Sequence, residues 1–275
     1  MSGVLERTLG ILEILSSHPA GLPVGVIAQR LDLPASATHR LLNDLARLGY
    51  VRQDRAHGDY ALTIRLAALG LSFLGQSGVT DIAQPILDRL AAESGELVRL
   101  SVADGASLVW VAVAQGATGG LRYDPGREQG VVVHLASSSG GLAWLSTLSD
   151  EDALVAVSRQ GLRPSHPGSG GNAPQTPTDL LARLGEARAR GYAVATDSYL
   201  AGMAAMATPV RWRGTEEAIG CLSIAAPSVR LDAARMETLA RPLLDAAAEI
   251  GAASAASQFF ATARLARSRA EGAPA

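Results

Sequence analysis

Residues 34–51 read PASATHRLLNDLARLGYV, and the fold of the N-terminal region turns on this stretch. Leu41, Leu45 and Leu48 recur at helical spacing, so one side of the segment is built to face a core. Ser36, Arg40, Asn43 and Arg47 fall on the opposite side, and Gly49 is placed to end the helix. Upstream, Val24, Ile27, Ala28 and Leu31 form a second apolar stripe with Pro23 in its first turn. Only Asp32, Leu33 and Pro34 separate the two, which is helix-turn-helix spacing. A first helix precedes them, with Leu5, Leu9, Leu12 and Leu15 in register until His18, Pro19 and Gly21 stop it. Downstream, YVRQDRAHGDYALT (50–63) reads as two short strands around a turn, a hairpin with Arg52, Arg55 and His57 near its tip.

Three helices and a hairpin make a winged helix-turn-helix. Its polar helix face is either merely solvated or meant for a DNA groove. The turn length, the short polar residues at the helix start and the adjoining wing together favour DNA. On that reading Ser36, Thr38 and His39 meet phosphates or base edges, Arg40 is placed for guanine or phosphate, and Asn43, Arg47, Arg52 and Arg55 extend the contact.

Composition narrows the chemistry. At 275 residues the chain is long enough for two domains, and its net charge of −2 offers no general attraction to nucleic acid or anionic membrane. All 24 basic residues are arginine. A phosphate loop ending in Gly-Lys, a Schiff-base lysine and a Ser-Lys hydrolase are therefore excluded. Cys221 is the only cysteine, so there is no internal disulfide, which fits a reducing cytoplasm. The five histidines are scattered, and neither metal nor cofactor is expected. The N-terminus lacks a signal-peptide pattern, and no stretch reads as a membrane span.

Beyond the hairpin, ALTIRLAALGLSFLG (61–75) reads as an apolar helix whose small residues allow close helix approach, a linker and dimer contact. A helix follows in TDIAQPILDRLAAESG, then strands in ELVRLSVADGASLVWVAVAQG, GLRYDPG and GVVVHL. SSSGGLAWL begins a helix, where free backbone N–H groups favour an anion. Helices DEDALVAVSR and TPTDLLARLGEARARG come next, then strands YAVATD, AAMATPVRW and EEAIGCLSIAAP, and a last helix near 231–255. The expected organisation is α+β: a DNA-binding domain over 1–63, a linker helix over 64–79, a domain with a mainly antiparallel sheet over 80–255, and a partly disordered extension over 256–275.

Several motifs in this order resemble one family. LPASATHRLL, LGYV, DYAL and AALG, followed by RGYAV, AGMAAMATPV and CLSIAAPSVR, resemble the isocitrate-lyase-regulator (IclR) family of bacterial transcription factors across residues 4–255. The resemblance implies a ligand-responsive regulator with an effector-binding domain, assembled as a dimer or dimer of dimers on double-stranded operator DNA. It implies a pocket lined by Ser138, Ser139, Gly140, Ala195, Asp197, Met203, Ala205, Cys221 and Ser223. Where the family usually has Gly-Lys this chain has Gly140-Gly141, and Asp197 stands near the R-G-Y strand where Glu is frequent.

The expected effector is a small organic or aromatic acid. Without a lysine, its anionic group would have no charged partner and would depend on backbone N–H groups and the hydroxyls of Ser138, Ser139 and Ser223. Asp197 is equally readable as a turn residue, a cap or an acceptor for a ligand hydroxyl. Cys221 and His134 read first as packing residues. The competing class is a hydrolase-like enzyme, but SSSGG is not a nucleophile elbow and no base has a sequence signature.

Overall fold

The structure, a computed structural model, describes residues 3–54, 58–119, 123 and 129–257. The chain divides into two compact units between Leu74 and Gly75. In the first, α1 (Val4–Ser16), α2 (Val24–Arg30) and α3 (Ala35–Arg47) are followed by β1 (Val51–Gln53) and β2 (Tyr60–Leu62). The two strands pair antiparallel, Val51 opposite Leu62, and Tyr60 also bridges Leu22. Ile11, Leu15, Ile27, Leu41, Leu42, Leu45, Val51 and Tyr60 form the core. Asp32 turns the chain between α2 and α3 in the left-handed region, and Gly49 does so after α3.

Two expected stripes shift. Leu5 and Leu9 are exposed, because the buried side of α1 is set by Ile11 and Leu15, roughly 100–140° round the helix from them. Leu48 is exposed where α3 ends, and Leu42 takes its place in the core. Helix α4 (Ile64–Ser77) leaves Ile64, Leu69, Leu71 and Phe73 exposed.

The second unit is a five-stranded antiparallel sheet with helices on both faces. Its elements are α5 (Val79–Ser94), β3 (Leu97–Asp104), β4 (Ser107–Gln115), α6 (Ser139–Leu145), α7 (Asp150–Ser158), α8 (Pro177–Arg190), β5 (Ala193–Thr196), β6 (Met203–Arg211), β7 (Ala218–Pro227) and α9 (Ala233–Ala253). The strand order is β4-β3-β7-β6-β5. Val98, Leu100, Val102, Met206, Leu222 and Ile224 pack one face against α5 and α9. Trp110, Ala193, Ala195, Ala207 and Cys221 face α6, α7 and α8 on the other. Strand alternation therefore assigns Arg99, between Val98 and Leu100, to the α6 side.

The expected strand GVVVHL is not one: only Val132 makes a bridge, to Val109. Val133 and Leu135 are instead fully buried on the α6 side, where the chain turns into that helix. Of GLRYDPG, only Tyr123 is among the described residues, and the extension beyond 257 lies outside them. No single described helix is long and apolar enough to cross a membrane.

Candidate functional site

Each unit gathers polar residues that need separate accounts. On α3, Ser36, His39, Arg40, Asn43 and Arg47 are exposed together, and Arg52 is exposed on β1. Asn43 Nδ2 and His39 Nδ1 are 3.2 Å apart, and Arg47 reaches Asp44 at 3.3 Å. Arg52 pairs with Asp54, whereas Arg40 makes no ion pair among the described residues. Thr38 does not join this face. It is fully buried and its hydroxyl donates to the Pro34 carbonyl at 3.2 Å, because it sits roughly 200° round the helix from Ser36. Arg55 and His57 lie outside the described residues.

The second unit encloses a cavity between the sheet and the start of α6. Ala195, Ala205 and Ala225 stand opposite one another across β5, β6 and β7, and form a flat floor of methyl groups. Ser138 and Ser139 come from the start of α6, Tyr199 and Leu200 from the loop joining β5 to β6, and Met203 from the first position of β6. Arg99 and Tyr123 complete the wall. The space, counted out through its open mouth into solvent, is about 370 Å³.

Five of the expected pocket residues thus meet: Ser138, Ser139, Ala195, Met203 and Ala205. Gly140, Asp197, Cys221 and Ser223 are not on this wall. The Ser223 hydroxyl is turned to the Arg99 carbonyl at 3.4 Å, and Cys221 is fully buried, with desolvation pushing its thiol far up from the ordinary range. Asp197, itself in the left-handed region, accepts the Gly202 N–H at 2.5 Å. Of its three readings the geometry matches the turn residue: its carboxylate closes the loop that presents Tyr199 and Leu200.

One expectation about charge is corrected. Helix α6 has seven residues, and its Gly141 N–H is already taken by the Ser138 hydroxyl at 3.0 Å, which in turn donates to the His134 carbonyl at 2.8 Å. A charged side chain is nonetheless present, because Arg99 reaches the cavity from β3. Only 6% of it is exposed, and its guanidinium lies 4.7 Å from the Trp110 ring centroid. Trp110 in turn meets Tyr199 edge-on at 5.7 Å.

A serine-histidine contact also occurs here: Ser137 Oγ lies 2.8 Å from His134 Nδ1. Ser137 is fully buried and off the cavity wall.

The chain matches the model of the IclR helix-turn-helix domain over residues 4–55 and that of the bacterial transcriptional regulator IclR C-terminal domain over 71–252. It is 30% identical to the acetate operon repressor of Salmonella typhimurium, over 90% of this chain and 88% of that protein. An IclR-type regulator from Alicyclobacillus acidocaldarius superposes with a TM-score of 0.76 at 23% identity, covering 91% of this chain and 98% of that one. An IclR homologue from Microbacterium hydrocarbonoxydans, solved with 4-hydroxybenzoate, gives 0.73 at 22% identity, covering 93% and 100%. With one domain model on the first unit and the other across most of the second, this chain belongs to the IclR family of bacterial transcriptional regulators.

Proposed function

We propose that the protein is a cytoplasmic, ligand-responsive regulator that binds operator DNA through α3 and the wing, and a small organic or aromatic acid in the cavity beside α6. The exposed set Ser36, His39, Arg40, Asn43 and Arg47 on one side of α3 carries the DNA reading. Arg40 is central: it stands on the outward side of a helix whose other side is core, free of an ion pair among the described residues, as a base-reading arginine must be. Arg52 and Arg55 are assigned to backbone phosphates. Neither role requires a catalytic group or cofactor.

One such module reads only a short half-site, so the working form is a homodimer or a dimer of dimers. The exposed apolar residues of α4, Ile64, Leu69, Leu71 and Phe73, supply a surface for that association. The 4-hydroxybenzoate found in the Microbacterium homologue supports an acid as effector.

Gel shift with the promoter next to the protein's own gene tests the reading. Binding is expected, with Arg40→Ala weakening it by about 1–3 kcal/mol while the fold stays intact. No shift with or without acids rejects DNA binding, and unchanged affinity in the variant removes α3 as the reading face.

A further inference from the structure

We infer that Asn43 reads an adenine in the major groove, and that His39 is the positioning residue that sets the Asn43 amide for it. This rests on α3 being the DNA-reading helix of the proposed function. At about 100° per residue, Asn43 lies within roughly 20° of Ser36, with His39 on one side of it and Arg40 and Arg47 on the other. The buried residues Thr38, Leu41, Leu42 and Leu45 occupy the opposite side of the helix. Asn43 is therefore the middle of the outward face, where a helix docked in the groove comes nearest the base edges.

His39 sets which way the amide points. Asn43 Nδ2 stands 3.2 Å from His39 Nδ1, and an amide nitrogen only donates, so the ring nitrogen accepts and the ring carries its proton on Nε2. The imidazole is itself set edge-on against Tyr60 of β2, with ring centroids 6.4 Å apart and planes at 88°. Tyr60 is a core residue only 1% exposed, so the series Tyr60, His39, Asn43 runs from the core to the outward face. With one N–H given to His39, Asn43 keeps its other N–H and its Oδ1, which has no partner among the described residues. One donor beside one acceptor on a planar amide matches adenine, whose N7 accepts and whose N6 amino group donates. Guanine presents two acceptors, N7 and O6, and suits the all-donor guanidinium of Arg40 instead.

Full-length protein and duplexes recovered from a randomised pool by binding-site selection test this. Each adenine and guanine of the selected half-site is replaced in turn by its 7-deaza analogue, which lacks the N7 acceptor. Wild type is expected to lose about 5-fold or more in affinity at one adenine, because the Asn43 N–H is left without its acceptor. Asn43→Ala binds the parent and that substituted duplex equally, while Arg40→Ala keeps the difference between them. His39→Phe, which retains a ring against Tyr60 but no acceptor, shrinks the difference. His39→Asn, which places an amide oxygen near the position of Nδ1, restores part of it. A bond that merely supports the helix moves stability and leaves the difference untouched, so full adenine discrimination in His39→Phe overturns the positioning role. Sequence-specific binding that weakens in Arg40→Ala but is indifferent to Asn43→Ala overturns the adenine assignment and leaves α3 as the reading helix. An Asn43 contact that maps to a guanine, or an Asn43→Ala loss that is equal on every duplex, does the same. Recovery of no specific sequence, or binding indifferent to both Arg40→Ala and Asn43→Ala, rejects α3 as the reader and the adenine assignment with it.

Discussion

Gly141 packs directly on the backbone of Leu135: a Cβ at position 141 would lie 2.3 Å from the Leu135 carbonyl oxygen and 2.4 Å from its Cα. The neighbouring Gly140 is buried but has room, since a Cβ there would meet the Ser101 hydroxyl at 3.9 Å and Leu108 Cδ2 at 4.0 Å, ordinary contact distances. Of the pair that replaces the family's usual Gly-Lys, the second glycine is therefore demanded by packing, and no lysine fits there. Gly141→Ala is expected to destabilise the protein by about 1–3 kcal/mol through overpacking against an unyielding backbone. Gly140→Ala is expected to be neutral or stabilising by up to about 1 kcal/mol, because alanine is the better helix former. Urea denaturation of both variants checks this, and equal midpoints would show that the turn before α6 can yield.

Thr38 and Arg40 stand two residues apart on α3 and should separate folding from DNA binding. Thr38→Ala removes a buried methyl group and the hydrogen bond to Pro34, at a cost of about 1–2 kcal/mol. Arg40→Ala, at an exposed position, is expected to change stability by no more than about 0.5 kcal/mol. Thermal unfolding of the two variants gives the comparison; a stable Thr38→Ala would contradict the packing described for this helix.

The helix-turn-helix was legible because its signals are local: helical leucine spacing, a three-residue connection and a terminal glycine. Thr38 was misassigned by residue type, although position alone places it beside Leu41 and Leu45 and opposite Ser36. Apolar runs were harder to read, since GVVVHL has strand-like composition and still runs as irregular chain, exposed at Val131 and Val132 and buried at Val133 and Leu135. The cavity was half legible. Ser138, Ser139, Ala195, Met203 and Ala205 followed from motifs, but the sheet register that aligns Ala195, Ala205 and Ala225 joins segments far apart in sequence. Arg99 did leave a signal: it interrupts the apolar run LVRLSVAD on the same strand face as Ser101. What that face meets depends on long-range pairing, so the cation stayed invisible to a reading of segments.

Asp197 should act through the loop it closes. Asparagine tolerates the left-handed backbone and keeps an acceptor for the Gly202 N–H, so Asp197→Asn is expected to preserve both stability and effector affinity. Asp197→Ala loses the acceptor and strains the φ of +49°, and is expected to destabilise by about 1–2 kcal/mol and weaken ligand binding by loosening Tyr199 and Leu200. Equal ligand affinity in Asp197→Ala and wild type, measured by calorimetry, would mean that the loop holds its shape without the carboxylate.

His134 gives the chain a pH dependence whose sign is fixed by its surroundings. Burial, helped by nearby His166, holds its imidazole below the ordinary value of 6.5, while the carbonyls of Gln160 and Arg163 oppose the shift. Above about pH 6.5 the ring is neutral in both folded and unfolded chains, and contributes no pH dependence. As the pH falls below that value the unfolded chain takes up a proton that the folded chain refuses, so stability is lost, at no more than about 1.4 kcal/mol per pH unit from this one group. The loss stops once the pH has passed the depressed folded value. His134→Gln removes this contribution while the other histidines remain. The expected result is a smaller fall in the urea midpoint between about pH 7 and pH 5 than wild type shows. An identical fall in the two proteins would mean that His134 titrates alike folded and unfolded, and that its position beside Ser137 carries no cost of burial.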